Sequence, residues 1–128
     1  MEGESIESDT RYEAAQWPNG IGEDVVISPR TPYGVSKACA EFYFADYAQT
    51  YGLRTTVFRQ SCIYGPHQIG AEEQGWVAWF ARAALAGLPV RIFGDGKQVR
   101  DVLYIDDLLD AYDAAVERID DIKGEVFN

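Results

Sequence analysis

Residues 31–65 read TPYGVSKACAEFYFADYAQTYGLRTTVFRQSCIYG, and the way this stretch divides decides the fold. Thr31 can cap a helix with its side-chain oxygen, and Pro32 suits the first helical position, where a missing N–H has no partner to lose. Gly52, directly after Tyr51, supplies a stop. The run from Arg54 is β-branched and aromatic and breaks at Gly65 and Pro66, which predicts a buried strand over 54–65 running into a loop. Helix, stop and strand are then repeated. GWVAWFARAALAG at 75–87 has helical composition and ends on glycine. VRIFGDGKQVRDVLYI at 90–105 holds an Asp-Gly pair between two strand-like runs, a hairpin or tight-turn signal. Asp106 is placed to cap a last helix, and GEVFN at 124–128 reads as the start of a strand. Helices alternating with short strands predict an α/β layer fold with at least partly parallel pairing. Residues 1–30 show no sustained period and contain WPNGIG at 17–22, so they read as a loop-rich approach segment to a domain occupying 31–128.

The helix at 32–51 carries more apolar surface than one face needs. At helical periodicity Val35, Ala38, Cys39 and Phe42 share one side, while Ala40, Tyr43, Phe44 and Tyr47 lie opposite. Such a helix requires cover on both sides. A sheet would cover one; a second copy of the helix in a homodimer, or a further part of the same polypeptide, would cover the other.

Composition narrows the function. A formal charge of −10 over 128 residues repels polyanions and argues against nucleic acid or an anionic membrane as partner. An anionic ligand must then be held by a local cluster of cations, and Arg91, Lys97 and Arg100 form the one such cluster in the sequence. There, a guanidinium can grip a phosphate with two parallel bonds; the alternative for Arg91 and Lys97 is a solvated face. No apolar run approaches the roughly 18 residues that span a bilayer. The first residues are acidic where a signal peptide is basic, so a cytosolic protein is expected. Cys39 and Cys62 lack metal-ligand spacing and fit a reducing compartment. With His67 the only histidine, neither a zinc site nor a Ser-His-Asp triad is expected.

Tyr33 and Lys37 stand four residues apart, which puts both on one helix face a turn apart. A phenol titrates near 10 in water. An adjacent ammonium and the positive end of the helix dipole both stabilise the phenolate, which suits Tyr33 to proton exchange. Lys37 carries three donors and can also grip a hydroxyl-bearing ligand such as a cofactor ribose. The bland alternative for so short a motif is an interface tyrosine beside a solvated lysine.

Four motifs in order raise the first reading over the second. They are Tyr-x-x-x-Lys on a helix, strand-Arg followed by Tyr-Gly-Pro at 64–66, Phe-Gly-Asp-Gly-x-x-x-Arg-Asp at 93–101, and the Asp-Asp-Leu helix start at 106–108. Across residues 29–128 the sequence resembles the extended short-chain dehydrogenase/reductase family, the NAD-dependent nucleotide-sugar epimerases and dehydratases. The resemblance implies the C-terminal part of a Rossmann-like doubly wound parallel sheet with part of a small substrate-binding region. It implies Tyr33 as catalytic acid/base and Lys37 as its partner on the nicotinamide ribose, both touching NAD. Cys62 falls where relatives show an asparagine in a loop between nicotinamide and sugar; a thiol replaces an amide poorly there, and a small buried residue is the equal alternative. Arg100 takes the place of the family's diphosphate anchor, and Trp76, Val77 and Phe93 would line the nucleotide pocket. Trp76, Trp79 and Phe80 have helix core as their alternative.

Two family features are missing from the sequence. The Gly-x-x-Gly-x-x-Gly turn that brings a pyrophosphate to a helix N-terminus does not occur, and the serine or threonine expected on a strand a couple of dozen residues before Tyr33 has no clear place, since Ser5 and Ser8 lie in an acidic tail that reads without strand character. The resemblance therefore implies the middle third to half of a longer enzyme, with NAD held mainly by a missing N-terminal half, which could also act as a complementing partner. The expected ligand is a nucleotide-diphosphate sugar. The expected activity is a nucleotide-sugar epimerase, with a 4,6-dehydratase as the close alternative and a non-catalytic remnant or interaction module as the alternative of another class.

Overall fold

The structure is a computed structural model that describes residues 5–7, 12–14 and 20–128. Its elements in chain order are β1 (Ser5–Glu7), β2 (Tyr12–Ala14), α1 (Pro32–Tyr51), β3 (Val57–Phe58), β4 (Ile63–Tyr64), α2 (Trp76–Leu85), β5 (Leu103–Tyr104), α3 (Ile105–Glu117) and β6 (Val126–Phe127). The chain divides into two compact units. One comprises Asn19–Arg59 with Ala111–Asn128, the other Gln60–Asp110 with the N-terminal strands.

In the first unit β3 and β6 pair in parallel, with Val57 opposite Val126 and Phe58 opposite Phe127. The Arg59 N–H extends the ladder to the Phe127 carbonyl at 2.8 Å. The half-buried Phe58 ring stacks on Phe127 across the strands at 5.6 Å and meets Tyr112 of α3 edge-on at 5.3 Å, while the buried residues of this unit are Ala48 and Ala115. Helix α1 begins where the sequence predicts. Thr31 is extended, its hydroxyl oxygen accepts from the Gly34 N–H at 3.0 Å, and Gly52 closes the helix at φ 69°. Ala48 is its one buried residue, in line with Gly124, whose missing Cβ would lie 3.7 Å from the Ala48 methyl. The expected cover over the two apolar sides is not found among the described residues: Val35 and Phe42 on one side and Tyr43, Phe44 and Tyr47 on the other are exposed.

In the second unit β4 and β5 pair in parallel, Ile63 opposite Leu103 and Tyr64 opposite Tyr104. Here α2 carries the fully buried Ala83, and Leu108 at the start of α3 is buried as well. Gly70 lets the preceding loop lie directly on α2. A Cβ there would collide with the Trp79 backbone nitrogen and stand 2.7 Å from the Gly75 carbonyl oxygen.

Parallel pairing confirms the α/β reading, and four local expectations are corrected. The single buried strand over 54–65 is two half-buried strands with different partners, β3 on β6 and β4 on β5. The hairpin at 90–105 does not form. Gly94 and Gly96 do turn the chain, at φ 88° and 78°, but β5 pairs in parallel with β4 rather than back across the turn. Asp106 is not a cap, because α3 already begins at Ile105; Asp106 and Asp107 lie in its first turn, where they favour the helix dipole. Ser5, expected to lack strand character, lies on β1, which pairs antiparallel with β2, Ile6 opposite Glu13.

Candidate functional site

The first unit holds Tyr33 and Lys37. The cap at Thr31 sets Tyr33 in the first turn of α1, and the Ser36 hydroxyl donates to the Tyr33 carbonyl at 2.7 Å. The Tyr33 side chain is 71% exposed. The Lys37 ammonium lies over its ring, 5.2 Å from the centroid, in a cation–π placement on an exposed residue. Both groups are therefore presented at the surface of their unit near the positive end of α1.

One turn beyond Lys37 is Glu41, which sequence reasoning did not single out. Its carboxylate is gripped by Arg59 through two parallel bonds, Nε to Oε2 at 2.9 Å and Nη2 to Oε1 at 2.6 Å. Arg59 Nη1 also donates to the Asn128 side-chain oxygen at 3.2 Å and the Glu23 carbonyl at 3.4 Å, and the Asn128 N–H donates to the Glu23 carboxylate at 2.9 Å. The Arg59 bonds hold the Glu41 carboxyl below its usual range, and the carboxylate in turn raises the guanidinium. Glu23 is lowered chiefly by the backbone N–H of Asn128. The legible hint was the arginine after β3 in the strand-Arg motif.

The second unit holds the other predicted residues. Cys62 is half-buried, and the Trp76 indole N–H donates to its sulfur at 3.4 Å. That bond, with smaller help from the Ser61 hydroxyl and the charge of Arg100, lowers the thiol below its ordinary value. Cys62 and Trp76, fourteen residues apart, are thus brought together. The Trp76 ring meets Phe80 edge-on at 5.6 Å. Val77 is half-buried, whereas Phe93 is exposed with the Arg91 guanidinium 6.0 Å from its ring, and Arg100 is exposed. Arg91 also pairs at 3.7 Å with Glu72, both exposed. Trp79, with the Arg82 guanidinium 5.8 Å from its ring, is half-buried. Among the described residues no group of His, Cys, Asp or Glu is placed to hold a metal ion, and no helix is long and apolar enough to cross a membrane.

The family model described as NAD dependent epimerase/dehydratase family matches residues 6–128. The chain belongs to that family. It is 42% identical over 127 residues to the CDP-paratose 2-epimerase of Salmonella typhi, a match that covers 95% of this chain and 38% of the relative. Among solved structures, UDP-glucose 4-epimerase of Thermotoga maritima, with UDP-glucose, superposes with a TM-score of 0.72 at 40% identity, over 84% of this chain and 37% of that one. The dTDP-glucose 4,6-dehydratase of Streptomyces venezuelae, with NAD bound, superposes with a TM-score of 0.72 at 27% identity, over 95% of this chain and 33% of that one. The parallel strands and helices described above are thus part of a Rossmann-like α/β fold, and the chain spans about a third of the length of these relatives.

Proposed function

We propose that this chain is the acid/base and substrate-wall portion of an NAD-dependent nucleotide-sugar epimerase, and that the reaction is epimerisation at C2 of CDP-paratose to give CDP-tyvelose for surface polysaccharide. The observation that carries this reading is the 42% identity to the Salmonella typhi epimerase along 95% of the chain. The exposed Tyr33 and Lys37 support it, because their side chains are open to a sugar hydroxyl and a ribose.

The residues present fit one part of the cofactor. The exposed Lys37 ammonium, with three donors at the surface of α1, suits a ribose diol. The chain has no glycine-rich strand-to-helix turn for the pyrophosphate, so NAD binding by these 128 residues alone is expected to be weak. NAD, when bound, supplies a transient acceptor for hydride from the sugar carbon, which regains it on the opposite face. The protein's part is proton transfer: the Tyr33 oxygen takes the proton of the sugar hydroxyl as hydride leaves and gives it back as hydride returns. Lys37 holds the ribose through its ammonium donors and stands over the Tyr33 ring. In the other unit Arg100 is assigned to the diphosphate, Trp76, Val77 and Phe93 to the nucleotide, and Cys62 to the cofactor and sugar loop. The apolar surface of α1 is assigned to a homodimer contact, which sedimentation of the complete enzyme would test.

Grafting this chain in place of the matching stretch of the Salmonella typhi enzyme tests the reaction. The graft is expected to convert CDP-paratose to CDP-tyvelose. Turnover of UDP-glucose or dTDP-glucose in its place would assign the chain to a 4-epimerase or a 4,6-dehydratase, and a folded graft inactive on all three would favour a non-catalytic role.

A further inference from the structure

Lys37 has two neighbours at helical spacing, Tyr33 one turn before it and Glu41 one turn after. We propose that Arg59 is a positioning residue for the acid/base pair: by occupying both oxygens of Glu41 it withdraws a competing carboxylate and reserves the Lys37 ammonium for Tyr33. The inference rests on the roles assigned to Tyr33 and Lys37 above. A carboxylate and an ammonium four residues apart on a helix attract each other, and so do an ammonium and an exposed aromatic ring, with comparable strength. An unengaged Glu41 would draw the ammonium away from Tyr33 for part of the time.

In the structure the competition is absent. Lys37 Nζ lies 5.2 Å from the Tyr33 ring centroid, and no described carboxylate forms an ion pair with it. Glu41 is turned instead to Arg59, with one bond to each oxygen, at 2.9 and 2.6 Å. The fork shape of the guanidinium allows this, whereas a lysine would act as a point charge and free one oxygen. Arg59 is itself fixed, by its N–H to Phe127 at 2.8 Å and by Nη1 to Asn128 at 3.2 Å. It cannot readily follow Glu41 toward Lys37, so the carboxylate stays where the strand holds it.

Proton NMR of the 128-residue chain reads the arrangement directly. A ring beneath the ammonium shifts the Lys37 ε-methylene protons upfield and gives cross-relaxation between them and the Tyr33 ring. Arg59→Gln is expected to lose both signals, because Glu41 is released. Adding Glu41→Gln to that variant should restore them, and Glu41→Gln alone should keep them. A pair that merely ties α1 to β3 predicts otherwise, since either single change breaks the tie. Signals retained in folded Arg59→Gln would overturn the proposal, as would their failure to return in the double variant. If circular dichroism shows that Arg59→Gln does not fold, Glu41→Gln decides alone: retained signals support the proposal, and their loss, by unfolding or otherwise, overturns it. The readout is independent of turnover, so it can fail while the catalytic roles stand; conversely, an active Tyr33→Phe enzyme would remove those roles without touching this contact.

Discussion

Helix α2 is fixed in its unit by backbone lying against backbone, whereas α1 is fixed in its own by side chains: the Arg59–Glu41 clamp, the Thr55 hydroxyl donating to the Phe44 carbonyl at 3.0 Å, and the small Ala48. Gly70 rests on the α2 main chain, its carbonyl accepts from Arg82 Nη1 at 3.3 Å, and Ala83 is wholly buried. On α1 only Ala48 is buried, and the Glu41 carboxylate is held by Arg59 near the middle of the helix. The difference teaches that the helix bearing the proposed chemistry is secured without covering the face that carries it. Tyr33, Lys37 and Glu41 follow one another at spacing four, so the clamp and the proposed acid/base pair lie along one side of α1.

The contrast can be broken most forcefully at Gly70. Gly70→Ala has no space beside the Trp79 nitrogen and should cost about 1–3 kcal/mol in denaturant unfolding, while leaving the Lys37 and Tyr33 NMR signals in place. Cutting the polar clamp should cost less. Glu41→Gln leaves the half-buried Arg59 with a weaker acceptor, a loss of about 1.5 kcal/mol. Its sign with pH is fixed by the direction of the shift. Because the Glu41 carboxyl is depressed in the folded state, its contribution is present above the unfolded carboxyl value and is lost as pH falls through the folded one. Wild type and Glu41→Gln should therefore converge in stability at acid pH, and a gap that stays constant to low pH would deny the ion pair that role.

How much of this was legible in the sequence depended on distance along the chain. The bounds of α1 follow from Thr31, Pro32 and Gly52, each acting on its immediate neighbours, and they were readable. The division of 54–65 into two strands was not, because β3 takes its partner from residues 126–127 and β4 from 103–104. The same holds at the sites. Tyr33 and Lys37 share a helix and declare their proximity, but the Arg59–Glu41 clamp joins a strand end to a helix, and the bond from Trp76 to Cys62 joins a helix start to a loop. Apolar patterning gave no warning that both sides of α1 would stand exposed, because it reports what a helix can bury and not what is there to bury it.

Smaller effects sharpen the comparison. Trp76→Phe removes the largest cause of the lowered Cys62 thiol, so the pH midpoint for alkylation of Cys62 should move up; an unchanged midpoint would mean that the indole bond is not what favours the thiolate. Asp120→Asn, at the exposed Arg54–Asp120 pair 3.7 Å apart, should change stability by less than about 0.5 kcal/mol. An effect as large as that of Glu41→Gln would erase the distinction between a clamp and a surface ion pair.

The Tyr33 proton is the centre of the proposed chemistry. In the grafted epimerase, Tyr33→Phe should lower turnover of the nucleotide sugar by about 10²–10⁴-fold, with its binding, measured by calorimetry, nearly unchanged. Turnover at the level of the unsubstituted graft would contradict the assignment of Tyr33 as the acid/base.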